Sequence, residues 1–277
     1  MRLPAALKLA FPARPPDADK RSVGTVAVFG GCRIYPHAPV VASLGARAAG
    51  AGLVRLVAPV ESLACAGALV PEATFTPRSP RCEVPAADVL VIGMGLGRAA
   101  RDLGRAAKLL SAPGRFVVDA DALFALGASR PVEGREIVLT PHEGEAARLL
   151  GWSRDEVASR RLEAVRELAA RYGATAVLKG RRTLVASADG KRIYENETGN
   201  PNMALGGMGD LLAGVLGARW AYLKGEAFLA AASAVWLHGA AADKVAAEGR
   251  DPSLANTAAA VGELRSALER RSSRLLR

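Results

Sequence analysis

The chain has 277 residues, of which 50% are hydrophobic and 23% are charged, so it can bury a large core and is not an intrinsically disordered protein. Aromatic residues make up only 5%, which favours helices packed on a buried sheet over an aromatic-rich sandwich. The formal net charge of +10 is compatible with binding nucleic acids or small polyanions such as nucleotides. However, only the C-terminal end carries a dense basic run, so we expect no nucleic-acid partner.

Short apolar segments alternate with helical segments along most of the chain. Residues 1–20 predict a Pro/Arg-rich N-terminal arm, extended at its prolines, ahead of one domain at 21–277. The predicted strands are Thr25–Phe29, Leu53–Ala58, Asp88–Ile92, Phe116–Asp119, Ile137–Thr140, Thr175–Leu178, Thr183–Ser187 and Lys191–Tyr194. The predicted helices are Ala38–Ala49, Arg98–Ser111, one helix from a Ser153/Glu156 capping box to Gly173, and 207–221, 226–247 and 257–271.

This alternation predicts a three-layer α/β/α domain with a mainly parallel central sheet. The last two strands flank Ala188-Asp189-Gly190, which indicates a hairpin. Ligands of such sheets bind beyond the carboxyl ends of the strands, so polar and glycine-rich segments that follow strands are the candidates for a functional site.

Cellular location is predicted from what the sequence does not contain. The three cysteines form no C-x-x-C pair, which argues against a disulfide framework or a zinc site and for the cytoplasm. The longest uncharged apolar run, 227–242, has sixteen residues, whereas a membrane helix needs roughly 20, so no membrane partner is expected. Residues 1–16 contain no acid, which leaves an organellar presequence open.

The most informative segment is NETGNPNMALGGMGD, residues 196–210. Gly206, Gly207, Met208 and Gly209 come just before or at the start of an apolar helix, where glycines let several N–H groups point into one phosphate cradle. Asp210 follows in the first helical turn, where a carboxylate is unfavourable beside phosphate unless it takes a proton from an attacking hydroxyl. The alternative is that the glycines are packing spacers and Asp210 caps the helix.

Other polar residues also follow predicted strands. Lys179 ends an apolar strand, where its ammonium can neutralise phosphate. His142 follows a Thr-Pro turn and either hydrogen-bonds a carboxamide or ribose or caps the next helix. Asp119 and Asp121 either help to hold magnesium or fix their loop by capping. His238, within an apolar segment, is expected to be a hydrogen-bonded buried histidine.

The ordered set of these motifs resembles the ADP/ATP-dependent NAD(P)H-hydrate dehydratases of the ribokinase-like superfamily. The blocks that carry the resemblance are GGC (30–32), GAGLV (50–54), PEAT (71–74), VDADAL (118–123), TPHEGE (140–145), KGRRT (179–183), TGN (198–200) and GGMGD (206–210). They extend from about Lys20 to Leu268, and the chain resembles a stand-alone dehydratase without a fused epimerase domain.

The resemblance implies an activity and a set of site residues. The activity is repair of the S-form of hydrated NADH or NADPH, through phosphorylation of the ring hydroxyl and elimination of phosphate. The implied phosphoryl donor is ADP or ATP with Mg²⁺, and the implied assembly is a homo-oligomer, such as a homotetramer, in the cytoplasm. The implied roles are acid/base and substrate contact for Asp210, substrate contact for Ala38, Gly95 and His142, and nucleotide binding for Lys179, Gly180, Arg181, Arg182, Thr183 and Gly209.

Two alternatives remain at the level of sequence. A ribokinase-like kinase for a vitamin or sugar alcohol would share the glycine-rich segment and Asp210 but release a stable phosphorylated product. A non-catalytic nucleotide-binding protein would not need Asp210. The TPH motif at 140–142 and the order of the blocks favour the dehydratase.

Overall fold

The computed structural model describes residues 3–127 and 132–275. Its strands are β1 (Thr25–Phe29), β2 (Leu53–Ala58), β3 (Thr74–Pro77), β4 (Val89–Ile92), β5 (Gly114–Val118), β6 (Arg135–Leu139), β7 (Thr175–Leu178), β8 (Leu184–Ala186) and β9 (Ile193–Glu195). Its α-helices are α1 (Ala38–Ala48), α2 (Leu63–Leu69), α3 (Ala100–Leu110), α4 (Glu143–Leu150), α5 (Arg154–Ser159), α6 (Arg161–Tyr172), α7 (Met208–Leu223), α8 (Ala227–Ala247) and α9 (Leu254–Leu275). Short 3₁₀ helices lie at Ala5–Ala10, Val60–Ser62, Ala120–Ala125 and Pro201–Met203.

The strands form one sheet in the order β3-β2-β1-β4-β5-β6-β7-β8-β9. Neighbouring strands are parallel from β3 to β7, and β8 and β9 add an antiparallel hairpin at the edge. The predicted three-layer domain with a mainly parallel sheet and a terminal hairpin is therefore confirmed.

The central strands are buried on both faces because consecutive apolar side chains point to opposite sides of the sheet. Val91 and Val117 belong to a core shared with α1, α7, α8 and α9, whereas Ile92 and Val118 belong to a second core with α3. A third cluster covers β7 and β8 with residues of α4, α5 and α6. The sheet is thus a rigid support from which loops emerge at each end.

Two glycines bring α1 and α7 into backbone contact. A Cβ on Gly45 would lie 2.2 Å from the carbonyl oxygen of Leu211, and a Cβ on Gly214 would lie 1.8 Å from that of Ala42. Only glycine permits so close an approach. The contact fixes the start of α7, which carries Asp210, relative to the start of α1.

The residues ahead of the proline-rich stretch pack on the domain. Leu7 and Phe11 are buried in the core. The guanidinium of Arg219, itself fully buried on α7, donates a hydrogen bond to the carbonyl of Ala10 and lies over the Phe11 ring at 4.7 Å from its centroid. The hydroxyl of Tyr222 donates to the carbonyl of Pro12 at 3.3 Å.

The segment from Ser153 to Gly173 differs from its prediction. It contains two helices, because the backbone of Arg160 leaves the helical region (φ −124°, ψ 41°) between α5 and α6. The capping box of Ser153 and Glu156 and the left-handed stop at Gly173 are both present. Leu162, the second residue of α6, is 47% exposed.

The topology also locates a crevice. β1 lies between β2 and β4, so the chain leaves β1 toward one side of the sheet and returns on the other side with β4. In open α/β sheets this switch point, at the carboxyl ends of the strands, is where ligands bind.

None of the helices that the structure describes combines the length and the apolar character needed to span a membrane.

Candidate active site

The turns after β1 and β4 meet at the switch point. The N–H of Gly31 donates to the carbonyl of Met94 at 2.8 Å, which ties the two turns together. Gly95 has φ +59°, and a Cβ on it would lie 2.7 Å from Cβ of Tyr35 and 3.0 Å from Cβ of Ala38. The structure therefore brings together two of the predicted substrate contacts, Ala38 and Gly95, and adds Tyr35, whose side chain is exposed and which the sequence did not single out.

The N-terminus of α7 lies open beside this crevice. Its cap residue, Gly207, has φ +92° and no side chain to occupy the first N–H groups. A Cβ on Gly206 would meet no atom within 4 Å. Exposed N–H groups at an uncapped helix start form an anion site. Met208 is the exception among the predicted cradle residues, because its N–H donates to the carbonyl of Leu205 at 3.2 Å.

Lys179 reaches back under this cradle. Its Nζ lies 2.6 Å from Oδ1 of Asp119 and 3.9 Å from Oε2 of Glu145. A Cβ on Gly209 would lie 3.5 Å from the same Nζ. The side chains of Lys179 and Asp119 are 18% and 2% exposed. Burial opposes the charged ammonium, but the carboxylates of Asp119 and Glu145 raise the pKa of Lys179 above its ordinary value, so it is a cation at neutral pH.

Asp210 lies in the first turn of α7, as predicted. Burial, together with the negative charges of Asp119 and Glu145, raises its pKa to about 7, and the Lys179 ammonium acts in the opposite direction. A carboxyl whose pKa lies near the working pH can both accept and return a proton. Lys179 and Asp210 therefore form a coupled pair beside the uncapped end of α7.

His142 caps α4. Its Nδ1 accepts hydrogen bonds from the N–H groups of Gly144 and Glu145 at 3.0 and 3.3 Å, and a carboxylate oxygen of Glu145 accepts from the N–H of His142 at 2.8 Å. Capping requires an unprotonated Nδ1, so the neutral ring carries its proton on Nε2. The ring is 59% exposed, and its Nε2 lies 3.6 Å from Oε1 of Glu145, beyond hydrogen-bond distance, so Nε2–H can reach a ligand. The two alternatives of a cap and a ligand contact therefore use different nitrogens and are compatible.

The predicted nucleotide loop, residues 179–183, closes on itself. The hydroxyl of Thr183 donates to the carbonyl of Gly180 at 3.0 Å, and the N–H of Lys179 donates to the carbonyl of Pro141 at 2.9 Å. The second bond joins this loop to the Thr-Pro-His turn. Arg182 pairs with Glu195 and Glu197 on the outer side, whereas Arg181 is exposed.

The two aspartates after β5 have different roles. Asp119 makes no capping bond to the 3₁₀ helix that follows it, so its carboxylate serves Lys179. Asp121 accepts from the N–H of Gly97 at 2.9 Å and from Nε of Arg98 at 3.0 Å, and thereby holds the glycine turn after β4. Within residues 3–127 and 132–275, no group of three or more His, Cys, Asp or Glu side chains is arranged as a metal site.

The histidine predicted to be buried lies away from this site. His238 on α8 is 4% exposed, and burial lowers its pKa to about 4. Its Nε2 has no hydrogen-bond partner among the described residues, contrary to the expectation of a hydrogen-bonded ring.

Glu145 is the residue that the prediction missed: it occurs inside the TPHEGE block, and its spacing from His142 is that of a capping box.

A family model for NAD(P)H-hydrate dehydratases matches residues 26–260. The chain belongs to this family. It is similar to the ADP-dependent (S)-NAD(P)H-hydrate dehydratase of Neisseria meningitidis serogroup B, with 39% identity over 243 residues, 85% of this chain and 81% of that protein.

A longer relative and a solved structure agree with that membership. The bifunctional NAD(P)H-hydrate repair enzyme of Coxiella burnetii is 37% identical over 89% of this chain, which spans about half (51%) of that protein. The crystal structure of the ADP/ATP-dependent NAD(P)H-hydrate dehydratase of Bacillus subtilis, co-crystallised with ATP and Mg²⁺, superposes with a TM-score of 0.86 and 26% identity. That superposition covers 95% of this chain and 96% of the crystallised one.

Proposed function

We propose that this NAD(P)H-hydrate dehydratase family member uses ADP or ATP to convert the S-form of hydrated NADH or NADPH back to the dinucleotide. The observation that carries the proposal is Asp210, a carboxyl with a pKa of about 7 in the first turn of an uncapped helix, beside a buried lysine. A residue of this kind is suited to taking a proton from a hydroxyl while a phosphoryl group arrives.

The phosphates of the donor nucleotide bind at the N-terminus of α7. The free N–H groups around Gly206, Gly207 and Gly209 and the partial positive charge of the helix end stabilise the transferring group. The ammonium of Lys179, held 2.6 Å from Asp119 and beside Gly209, adds positive charge to the cradle. The loop of residues 179–183 carries the rest of the nucleotide.

The hydrated ring lies between the switch-point turns and α4. Ala38 and Gly95 present little side chain, so the hydrated ring can approach the backbone there. Nε2–H of His142 donates a hydrogen bond to the hydrate. These contacts place the ring hydroxyl near Asp210, and positioning of this kind supplies much of the rate.

The chemistry proceeds in two stages. Asp210 accepts the proton of the ring hydroxyl while the hydroxyl oxygen bonds to the terminal phosphorus of the nucleotide. The bond from that phosphorus to the leaving nucleotide breaks. The lone pair of the ring nitrogen then helps to expel phosphate from carbon, because phosphate is a better leaving group than hydroxide. Loss of a proton from the neighbouring carbon restores the dihydropyridine.

Magnesium fits this site as a companion of the nucleotide. Mg²⁺ usually keeps several waters and binds through substrate phosphates with only one or two protein oxygens. The described residues offer no dedicated cluster of ligands, in agreement with an ion held mainly by the nucleotide. When bound, it supplies positive charge to the phosphate oxygens.

Incubation of the purified protein with NADH hydrate, Mg²⁺ and either ADP or ATP tests the proposal. We expect the absorbance of the dihydronicotinamide to return only when nucleotide is present, with one inorganic phosphate released per ring restored. Asp210→Asn keeps the size of the side chain and should lower turnover by roughly 10²–10⁴, the usual contribution of general acid–base help.

Two results would overturn the proposal. Accumulation of a stable phosphorylated product without phosphate release would identify a small-molecule kinase. If a folded Asp210→Asn variant turns over within a few-fold of the unsubstituted protein, Asp210 is not the base and its role is limited to the start of α7.

We also propose that the chain forms a cytoplasmic homo-oligomer, with a homotetramer as the form to test. Support comes from large apolar side chains that are exposed in the segments after β1 and β2: Ile34 and Tyr35 in the loop after β1, and Val60 and Leu63 at the starts of the 3₁₀ helix and of α2 that follow β2. Isolated exposed apolar residues are common, but several in adjacent loops are typical of a contact surface. Light scattering on the purified protein measures the assembly, and a monomer at micromolar concentration would contradict it.

A further inference from the structure

Asp119 is built into the site by unusual backbone geometry. Ala120, which follows it, has φ +49°, a left-handed conformation that alanine rarely adopts. The backbone of Asp119 also lies very close to Gly93, in the turn after β4: a Cβ on Gly93 would lie 1.9 Å from the carbonyl oxygen of Asp119. The N–H of Asp119 donates to the carbonyl of Ile92 at 3.1 Å. Strained backbone of this kind persists where the surroundings fix a side chain for a purpose.

The side chain placed by this geometry is a buried carboxylate with one strong partner. Asp119 is 2% exposed, and its Oδ1 lies 2.6 Å from Nζ of Lys179. The nearest oxygen of Glu145 lies 3.9 Å from the same Nζ. Asp119 makes no bond that caps the next helix. Burying a carboxylate without its cation would cost free energy of folding. The two partners come from the ends of separate strands, β5 for Asp119 and β7 for Lys179.

We propose that Asp119 is a positioning residue: it holds the Lys179 ammonium beside Gly209 of the phosphate cradle, and the charges of Asp119 and Lys179 together control when Asp210 can accept a proton. The proposal rests on the proposed function for the identity of the reaction, but not for the binding of nucleotide. Asp119 itself contacts neither of the reacting groups in that scheme and acts through Lys179.

The charges around Asp210 determine the direction of the expected effects. The groups that face it come from three elements: Asp119 after β5, Glu145 on α4 and Lys179 after β7. Asp119 and Glu145 disfavour the ionised form of Asp210, and Lys179 favours it. Removing the charge of Asp119 therefore lowers the pH at which Asp210 ionises. Removing the charge of Lys179 raises it.

Nucleotide affinity reports the same ionisation without any turnover. Once Asp210 is ionised, its negative charge repels the phosphates, so we expect ADP to bind more weakly as the pH rises through about 7. Isothermal titration calorimetry of ADP with Mg²⁺ at several pH values from 5.5 to 8.5 gives the midpoint pH at which the affinity changes. The pH profile of kcat/KM with NADH hydrate gives the midpoint pH of the same ionisation independently.

The decisive variants are Asp119→Asn and Lys179→Gln. In Asp119→Asn the ammonium still faces Glu145 at 3.9 Å and stays near Asp210, but it is held less firmly. We therefore expect both midpoints to move to lower pH and the affinity for ADP to fall about tenfold. For Lys179→Gln we expect the midpoints to move to higher pH. Opposite shifts in two variants that break the same ion pair cannot come from a general loss of structure.

Asp88→Asn is the matched control. Asp88 lies at the amino ends of the central strands β1 and β4, away from the candidate site at their carboxyl ends, and its carboxylate accepts the N–H of Thr25 at 2.7 Å. It should leave both midpoints and the ADP affinity unchanged. If Asp119→Asn does not fold, the upward shift in Lys179→Gln still tests the charge coupling, and its absence would refute it.

The outcomes separate this inference from the proposed function. A folded Asp119→Asn variant with the ADP affinity and midpoint of the unsubstituted protein would overturn the positioning role, whatever the turnover. Absence of hydrate turnover in the unsubstituted protein, with the opposite shifts still present in ADP binding, would overturn the proposed function and leave the positioning role in place.

Discussion

Asp243 on α8 holds Asn200 at 3.0 Å, from the side-chain amide nitrogen of Asn200 to Oδ1 of the carboxylate. The other oxygen of Asp243 accepts the N–H of Gly199 at 2.9 Å. This carboxylate therefore holds two residues of the Thr-Gly-Asn turn that leads into the α7 cradle. These bonds place α8 among the elements that determine the shape of the site.

Asp243→Ala should loosen this turn. It leaves the N–H of Gly199 and the amide of Asn200 without their acceptor, and each lost bond of this kind costs about 1–3 kcal/mol of unfolding free energy. We expect a lower melting temperature and a lower kcat, because the cradle is displaced. Urea denaturation and hydrate turnover measure the two effects.

A surface variant serves as the control for Asp243→Ala. Asp17 is exposed, and Asp17→Ala should change the free energy of unfolding by less than about 0.5 kcal/mol. Unchanged stability in Asp243→Ala would mean that the turn is held by its other bonds, such as the one from the Thr198 hydroxyl to the carbonyl of Trp236 at 3.0 Å.

The sequence predicted the parallel sheet because its strands are short, apolar and separated by helix-like segments. It did not predict β3 or α2. β3 lies at the sheet edge with partly polar, half-exposed residues, and α2 buries only Ala66, so neither shows the periodicity of a covered element. The break at Arg160 was missed for the opposite reason: the apolar spacing runs through it, and only tertiary packing separates α5 from α6.

The candidate site was predicted as a set of motifs but not as a network. Sequence order places Lys179, Asp119 and Glu145 on three different elements, and no local pattern indicates that one ammonium serves two carboxylates. The nearness of strand ends in a parallel sheet made a meeting of their loops predictable. Which side chain pairs with which depends on backbone details, such as the left-handed Ala120, that composition does not reveal.

His142 allows its two functions to be separated. Asn is a good N-cap residue, so His142→Asn should keep the start of α4 while it removes Nε2–H. We expect the hydrate KM to rise in both His142→Asn and His142→Ala, and the stability to fall by about 1 kcal/mol only in the alanine variant. Kinetics with thermal melts distinguish them, and an unchanged hydrate KM in His142→Asn would leave His142 as a cap alone.

The raised pKa of Asp210 also predicts how stability depends on pH. The ordinary pKa of an aspartate is 3.8 and the pKa of Asp210 in the folded protein is about 7, so between these pH values the folded protein binds more protons than the unfolded chain. Stability attributable to this group therefore falls as the pH rises from about 4 to about 7. Over the same range, kcat/KM should rise as the base ionises.

Asp210→Asn provides the reference for that pH dependence. Asn cannot ionise, so the variant should gain melting temperature relative to the unsubstituted protein when the pH is raised from 5 to 8. Calorimetry at the two pH values measures the difference. Parallel curves would show that Asp210 ionises in the folded protein much as it does in the unfolded chain.

The three glycines of the cradle should respond differently to alanine. Gly207 has φ +92°, and its Cβ would lie 2.9 Å from Cδ1 of Leu254, so Gly207→Ala should destabilise the fold by about 1–2 kcal/mol. Gly206 and Gly209 have room for a methyl group, and Gly209→Ala should even stabilise α7 by up to about 1 kcal/mol.

The methyl group of Gly209→Ala nevertheless occupies the space beside the Lys179 ammonium, at 3.5 Å from Nζ. If phosphate binds there, the variant should be at least as stable as the unsubstituted protein and yet bind ADP about tenfold more weakly, a loss of about 1.4 kcal/mol. Gains in melting temperature and losses in affinity rarely come from one general cause, so the combination assigns the effect to the cradle. Undiminished ADP affinity in a stable Gly209→Ala variant would mean that the phosphates lie elsewhere, and the roles given to Gly206, Gly209 and Lys179 would fail together.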